Sequence, residues 1–152
     1  MIARAVFGIA ALIATGAVAA SGGGGVKGTA ITASAYPATL AEYGFFADVS
    51  AQKPAARVTP YRLNTPLWSD GAEKLRFVYL PPGAKAKANG EGLLDLPVGA
   101  ALIKTFAFGT RKMETRVLLH RAEGCIHVVS VLFREAGVRT NVSHFVSESY
   151  PF

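Results

Sequence analysis

The stretch Ala101–Phe108, ALIKTFAF, decides the fold that we predict for this chain. Its side chains fall into two alternating sets, the first at Ile103, Thr105 and Ala107 and the second at Lys104, Phe106 and Phe108. Because successive side chains of a strand point to opposite faces of a sheet, this alternation predicts a β-strand with one set on each face.

Further strand-like segments lie on both sides of this stretch. They are Leu75–Leu80 (LRFVYL), Leu93–Leu96, Thr115–His120 (TRVLLH), Cys125–Phe133 and a segment that begins at Val58. Asn89-Gly90 is a typical hairpin turn between two of them. Proline lacks the amide donor that a helix interior needs, so the dispersed prolines exclude long helices. These prolines are Pro60, Pro66, Pro81, Pro82 and Pro97.

One short helix is predicted ahead of the strands. Thr39 can cap it, Leu40 and Tyr43 form its apolar side, and Gly44 can end it. Short strands joined by tight turns predict a mainly β fold. We expect an antiparallel β-sandwich or a partly open barrel with one short N-terminal helix.

The N-terminus predicts export from the cytoplasm. Arg4 precedes the uncharged apolar run Ala5–Ala20, which ends in the small residues AVAA that a signal peptidase recognises. The run is shorter than the roughly 20 apolar residues that a membrane-spanning helix needs. Ser21 stands where a lipoprotein would carry a cysteine. We therefore expect residues 1–20 to be a cleaved signal peptide, with no stable membrane anchor afterwards and a periplasmic or secreted mature protein.

The rest of the chain divides into three parts by composition. Residues 21–35 begin with SGGGG and predict a flexible tether with little order, because glycine loses the most conformational freedom on folding. Residues 36–124 contain most of the strand-like segments and form the predicted β-rich domain. Residues 125–152 form a C-terminal tail of different character, which is discussed below with the family resemblance.

The charge balance is basic, with 16 Lys and Arg against 10 Asp and Glu and a net charge of +6. Removal of Arg4 with the signal peptide leaves 15 against 10, a net charge of +5. A basic surface suits an acidic partner such as nucleic acid, an anionic lipid or an acidic redox protein. The scattered positions equally fit an ordinary soluble surface. Because an exported protein is separated from the cell's nucleic acid, we expect no nucleic-acid partner.

Cysteine and histidine usage limits the cofactor chemistry. Cys125 is the only cysteine, whereas covalent haem c requires a C-x-x-C-H motif, so we expect no cofactor in this chain. Cys125-x-His127 would place both side chains on one strand face, and adding His120 or His144 would make a metal site conceivable. A Cys–His nucleophile pair is a second alternative. Neither spacing matches a standard motif, so we assign no catalytic and no metal residue and expect a buried structural thiol.

The densest set of polar and aromatic side chains lies in Tyr61–Leu80, YRLNTPLWSDGAEKLRFVYL. The candidate residues are Tyr61, Asn64, Trp68, Ser69, Asp70, Lys74 and Arg76, together with Lys104 from the central strand. In a binding site, Trp68 and Tyr61 would stack against a sugar or a partner, and Asn64 and Asp70 would anchor it. In a structural role, Trp68 would fill the core while Asn64 and Asp70 fix turns through buried hydrogen bonds. We expect the structural role.

Four blocks of the sequence carry a family resemblance, namely YGFFAD at Tyr43–Asp48, PYRLNTPLWSDGAEKLRFVYLPPGA, LDLPVGAALIKTFAF and METRVLL. Together they resemble the N-terminal domain of a family of exported bacterial di-haem c-type cytochromes. The resemblance covers roughly Tyr36–Gly124. It implies that this chain is a non-haem domain of an electron-transfer protein and that haem c belongs to the full-length members. The implied partner is a haem-bearing domain or a periplasmic redox protein.

The resemblance ends at Gly124, where the family continues with a tryptophan and this chain has Cys125. A frameshift or a truncated gene would produce such a tail. A fainter resemblance links Pro97–Lys104 to c-type cytochromes that oxidise hydroxylamine and cross-link haem to a lysine. Without C-x-x-C-H, we instead expect Lys104 to pair with Glu114 on the neighbouring strand.

The sequence thus leaves three functions open. The first is an exported accessory domain that supports periplasmic electron transfer without binding haem itself. The second is a free-standing carbohydrate- or polymer-binding module that uses Trp68 and Tyr61. The third is a truncated gene product without function.

Overall fold

The computed structural model describes residues 24–90, 94–123, 126–132 and 142–145, and in the last two ranges Ser130 alone has a described side chain. The predicted signal peptide, Cys125 and most of the tail lie outside the described residues, as do the side chains of His127 and His144. In the described ranges, no helix is long and apolar enough to cross a membrane.

The described residues form two short helical elements and a series of strands. The helical elements are α1 (Gly28–Thr32) and a 3-10 helix (Leu40–Tyr43). The strands are β1 (Phe46–Asp48), β2 (Lys53–Pro54), β3 (Val58–Tyr61), β4 (Glu73–Tyr79), β5 (Lys87–Ala88), β6 (Leu94–Asp95), β7 (Ala101–Phe108), β8 (Arg111–His120), β9 (Ile126–Leu132) and β10 (Val142–Phe145). The boundaries of β7 coincide with the predicted strand, and β4 and β8 overlap their predicted segments.

One antiparallel sheet organises the domain, with the strand order β10-β9-β8-β7-β4-β3. The pairs β1–β2 and β5–β6 form two small hairpins outside it. Over the described residues, β3 and β10 are opposite edges, so this sheet is not closed into a barrel. The edge strand β3 contains Pro60, at a position where the sheet tolerates a missing amide donor. The predicted mainly β, antiparallel fold with one short α-helix is confirmed, and its layering is sandwich-like.

One face of the sheet carries the core. Along β7, every second residue from Ala101 to Ala107 is buried, which includes the set Ile103, Thr105 and Ala107. The second layer consists of α1, the 3-10 helix and the β1–β2 hairpin. The Tyr43 and Phe45 rings stack with centroids 5.2 Å apart, and Phe46 packs edge-on against Phe77 at 5.1 Å. The opposite face of the sheet carries the second set of β7 side chains and is called the open face below.

The predicted helix at Thr39 is present but short. Leu40 and Tyr43 are buried as expected, and Gly44 ends the helix with a left-handed φ of 70°. The capping contact differs from the prediction, because the Thr39 hydroxyl donates to the Glu42 carboxylate at 2.8 Å instead of accepting from a backbone amide.

The expectation of little order throughout residues 21–35 was wrong for its second half. Gly28–Thr32 form α1, and Ile31 on this helix is fully buried in the core. The amide of Lys27 donates to the carbonyl of Tyr43 at 2.9 Å, which fixes the start of the helix. Glycine and β-branched residues are weak helix formers, so these tertiary contacts stabilise α1 more than its own sequence does.

Candidate functional site: a cationic row on the open face

Three cations stand side by side on the open face of the sheet. The register pairs Arg76 of β4 with Lys104 of β7, and Lys104 with Arg116 of β8. Residues directly opposite each other on antiparallel strands present their side chains to the same face, with Cβ atoms about 4.5–5.5 Å apart. We call Arg76, Lys104 and Arg116 the cationic row.

An aromatic ring separates two members of this row. The Lys104 ammonium lies 4.7 Å from the centroid of the Phe106 ring, and the Arg116 guanidinium carbon lies 5.0 Å from it. The negative electrostatic potential of an aromatic face attracts a cation at such distances. Phe106 therefore helps two like charges to coexist on neighbouring strands.

Lys104 is the electrostatic centre of the row. Partial burial and then the nearby charges of Arg76, Lys74 and Arg116 lower its pKa, whereas the Glu114 carboxylate opposes the shift. Within the described part of the chain, its ammonium makes no hydrogen bond or ion pair, and it lies against the Phe106 ring. An ammonium in this setting is poised to accept an anionic partner.

Glu114 pairs with Arg116 and not with Lys104. The Arg116 Nε atom donates to Glu114 Oε1 at 2.8 Å. Burial alone would raise the pKa of Glu114, but hydrogen bonds from Arg116 and Ser130 and the nearby cations hold it below its usual value. The predicted Lys104–Glu114 pair was therefore wrong. The reason is the register, because Glu114 stands opposite Phe106 while Arg116 stands opposite Lys104.

A loop at residues 62–72 lies beside the row. The Lys74 ammonium donates a hydrogen bond to the backbone carbonyl of Leu67, which ties the loop to β4. The loop ends in a turn in which the Ala72 amide donates to the Ser69 carbonyl at 2.8 Å. Its central residues Asp70 and Gly71 have φ values of 46° and 79°. A type I′ turn requires positive φ at both of these positions, and Asp-Gly is a preferred sequence for it.

The loop and the sheet together line a shallow groove of about 500 Å³. Its lining residues are Trp68, Ser69, Asp70, Ala72, Lys104, Phe106, Phe108, Met113, Glu114 and Arg116. An adjoining groove behind the loop includes Lys74 and Arg76. Six of the eight candidate residues from the sequence thus line one or both of these grooves, namely Trp68, Ser69, Asp70, Lys74, Arg76 and Lys104.

Trp68 does not fill the core, so the expected structural role of this residue was wrong. Its side chain is 81% exposed and the neighbouring Leu67 is 76% exposed. The loop that carries both residues extends past the sheet, and the core is filled instead by rings from the second layer, such as Phe45 and Phe46. An exposed tryptophan beside an exposed leucine is a typical feature of a binding surface.

The remaining candidates have smaller parts in this site. Tyr61 is half-buried and stands opposite Arg76, at the β3 end of the row. Asn64 is exposed and lines neither groove. Asp70 is exposed, so it shapes its turn through its left-handed backbone and not through the buried hydrogen bond that we expected.

Sequence reasoning missed Phe106, Glu114 and Arg116 as members of the site. The β7–β8 pairing contains a bulge, because Ala107 pairs with Lys112 while Phe106 pairs with Glu114. A bulge places one extra residue on one strand and shifts the pairing beyond it. The alternation of Thr115, Val117 and Leu119 was the available signal, since burying these residues forces Arg116 to the open face.

The histidine and cysteine alternatives gain no support from the described residues. No three His, Cys, Asp or Glu side chains are grouped in these ranges so as to hold a metal ion. The His120 ring instead uses Nδ1 in a 2.8 Å hydrogen bond with the Leu96 carbonyl. Because a carbonyl oxygen can only accept, Nδ1 carries the proton, and His120 fastens the chain after β6 to the end of β8.

No family model matches this chain, no curated protein matches it, and no solved structure matches it.

Proposed function

We propose that this protein is an exported, non-catalytic binding domain whose cationic row docks an acidic partner protein in the periplasm. In keeping with the family resemblance of residues 36–124, the partner that we propose is a haem-bearing domain or redox protein. The observation that carries the proposal is the alignment of Arg76, Lys104 and Arg116 on the open face of the sheet.

Charge complementarity supports an acidic partner. Three cations and one carboxylate act on Lys104, so the row repels itself when no anion is present. Carboxylates of a partner would relieve this repulsion and would steer the encounter between the two proteins. Arginine forms planar, two-point hydrogen bonds with carboxylates, and Arg116, whose side chain is 49% exposed, offers such a group beside Lys104. Arg76 is buried and donates to the Lys74 carbonyl at 3.2 Å, so it contributes its charge and not a direct contact.

The exposed apolar side chains support a protein partner. The groove beside the row is lined by three exposed apolar side chains, Trp68 (81% exposed), Phe108 (50%) and Met113 (37%). The neighbouring Leu67 is 76% exposed. Interfaces between proteins gain most of their binding energy from a few tryptophan, tyrosine and arginine side chains near their centre. A tryptophan next to a pair of arginines provides this combination.

The test measures the fluorescence of Trp68, which is the only tryptophan in the sequence. Titration with an acidic c-type cytochrome should quench its fluorescence by energy transfer to the haem, and the affinity should fall as salt increases. Charge reversal in Lys104→Glu should abolish the saturable quenching at low salt. Equal quenching by a basic cytochrome of the same size would count against the proposal.

A matched control distinguishes the effect of the cationic row on binding from the effect of net charge. Lys87→Glu changes the net charge by the same amount on the exposed β5–β6 hairpin, outside the two grooves. We expect this variant to bind the acidic cytochrome nearly as well as the wild type. If Lys87→Glu and Lys104→Glu weaken binding equally, the interaction is a general charge effect and the row is not the site.

A second candidate function is the binding of a carbohydrate or another polymer. It is favoured by the exposure of Trp68 along an open groove, because sugars stack on such aromatic surfaces. A uronic-acid oligosaccharide should then change the Trp68 fluorescence more than a neutral one. In Trp68→Ala, affinity for the saccharide, measured by calorimetry, should be lost even at low salt.

A further inference from the structure

Arg121 is a buried cation on the side of the sheet away from the cationic row. It follows β8 directly, continues the buried series Val117 and Leu119, and is 3% exposed. One guanidinium nitrogen, Nη1, donates to the carbonyl of Ser34 at 3.5 Å. The guanidinium carbon lies 4.3 Å from the centroid of the Tyr36 ring. One face and one nitrogen of the guanidinium therefore have partners.

The other edge of the guanidinium has none. The Nε and Nη2 atoms are buried, and no acceptor in the described part of the chain lies within hydrogen-bond reach of either. These two nitrogens share one edge, on which their N–H groups point in parallel. Arginine uses this geometry to bind both oxygens of a carboxylate at once. A buried cation that lacks such an acceptor is strongly destabilising.

A third donor belongs to the same region. The Tyr43 hydroxyl is also buried without a hydrogen-bond partner among the described residues. Burial raises the pKa of Tyr43 to about 12 although Arg121 opposes the shift, while Tyr36 and Glu42 add to it. Tyr43 therefore keeps its proton at neutral pH. The Arg121 guanidinium lies over the Tyr36 ring, and Tyr36 packs against the core cluster that contains Tyr43, so Tyr43 belongs to the same region of the core.

We propose that the Nε–Nη2 edge of Arg121 is a binding site for a carboxylate, or for another oxyanion that presents two oxygens, with the Tyr43 hydroxyl as an additional donor. The unpaired positive charge selects an anion. The parallel N–H groups select a planar pair of oxygens over a spherical ion such as chloride. Because Nε and Nη2 are inaccessible to solvent, a small anion reaches them only when the exposed segment of residues 33–35 next to the guanidinium moves aside.

This site is independent of the docking surface. The row lies on the open face of the sheet, whereas Arg121 directly follows β8 and continues its core-facing series. The two proposals can therefore fail separately, and a variant in one site serves as the control for the other.

The test follows the Arg121 Nε–H signal in nitrogen-15 NMR spectra, assigned by its loss in Arg121→Lys. At constant ionic strength, the protein is titrated with acetate, inorganic phosphate or chloride. We expect a saturable shift with acetate and with phosphate, and none with chloride over the same range. The relative affinities for acetate and phosphate distinguish a carboxylate ligand from a phosphate ligand. An unchanged signal with both oxyanions, or an equal shift with chloride, overturns the proposal.

Two variants define the geometry, with the acetate affinity measured by calorimetry. Arg121→Lys keeps a charge but loses the paired edge, and should weaken acetate binding at least about tenfold. Tyr43→Phe removes one donor without adding charge, and should weaken it by about three- to tenfold. Arg116→Gln should leave acetate binding unchanged. Loss of binding in Arg116→Gln with retention in Tyr43→Phe would assign the anion to the row and overturn the proposal.

Discussion

The hydroxyl of Thr105 on β7 lies 2.7 Å from the hydroxyl of Thr115, its partner on β8, and both side chains are fully buried. Thr105 also lies 2.7 Å from Gln52 Oε1, which can only accept, so Thr105 donates to Gln52 and Thr115 donates to Thr105. The Gln52 amide nitrogen donates in turn to the Val49 carbonyl at 3.2 Å. This directed chain fastens the loop after β1 to the centre of the sheet.

The donor directions in this series of hydrogen bonds predict that two similar substitutions lower the free energy of unfolding by different amounts. Thr105→Val leaves Gln52 Oε1 and the Thr115 hydroxyl buried without partners, and should lower the free energy of unfolding by about 1–3 kcal/mol. Thr115→Val leaves the Thr105–Gln52 bond intact and should cost about 0.5–1.5 kcal/mol. Urea unfolding measures both, with exposed Thr59→Val as the control. A larger loss for Thr115→Val would contradict the assigned donor directions.

Trp68→Ala should leave the stability almost unchanged, because the indole is 81% exposed. The expected change in melting temperature is under about 2 °C, as for surface substitutions in a small domain. Ile103→Ala, at a fully buried position of the same sheet, should instead cost about 2–5 kcal/mol. Thermal unfolding compares the two variants, and a melting temperature lowered by more than about 5 °C in Trp68→Ala would place the indole in the core.

Because of Lys104, the free energy of unfolding should depend on pH in the alkaline range. Its folded-state pKa is lowered by burial and by Arg76, Lys74 and Arg116 relative to the ordinary value of 10.5. Between these two pKa values the unfolded chain binds more protons, so the free energy of unfolding rises with pH. Urea unfolding from neutral pH up to the pH at which lysine titrates measures this effect. The free energy of unfolding of the wild type should rise with pH relative to that of Lys104→Met.

Arg76→Gln provides the control for this pH dependence. It removes one of the cations that lower the pKa of Lys104, so the pKa should move back towards its usual value. NMR titration of the lysine side chain measures this shift directly. A pKa of Lys104 at or above the ordinary lysine value in the wild type would contradict the like-charge environment of the row.

Gly44 and Gly71 allow backbone strain to be separated from a close contact. Both have left-handed φ angles, 70° and 79°, but a Cβ on Gly44 would lie 2.7 Å from the Gly25 carbonyl oxygen, whereas a Cβ on Gly71 meets open space. Gly71→Ala should therefore cost only the left-handed strain, about 1–2 kcal/mol. Gly44→Ala should cost more and should speed tryptic cleavage at Lys27, whose amide donates to the adjacent Tyr43 carbonyl. Equal losses for both variants would mean that the contact with Gly25 contributes nothing.

The alternating strands could be predicted from the sequence because alternation reports directly which face of a sheet is buried. Thr105 illustrates its strength, since this polar residue was grouped on one strand face with Ile103 and Ala107, and all three are buried. Trp68 illustrates its limit. A loop has no repeating pattern, so hydrophobicity alone could not show whether its side chains turn towards the core or away from it.

The helix α1 and the cationic row could not be predicted for a different reason. The segment around Ile31 has weak helix propensity, and only contacts with residues far along the chain stabilise it. The row depends on the register between strands, which the bulge beside Met113 shifts by one residue. Without the bulge, Lys104 would stand opposite Thr115; with it, Arg116 lies opposite, and neither register pairs Lys104 with the Glu114 that we assigned to it.

Pro60 has a consequence for how this domain behaves in a crowded compartment. It lies on the edge strand β3, opposite Phe77, and it has no amide hydrogen to offer beyond the edge. An incoming strand from another molecule would meet a gap in the series of donors that continuous pairing requires. The β3 edge is thereby protected against the strand-by-strand growth that leads to aggregation, even though the grooves beside the cationic row stay open to a partner.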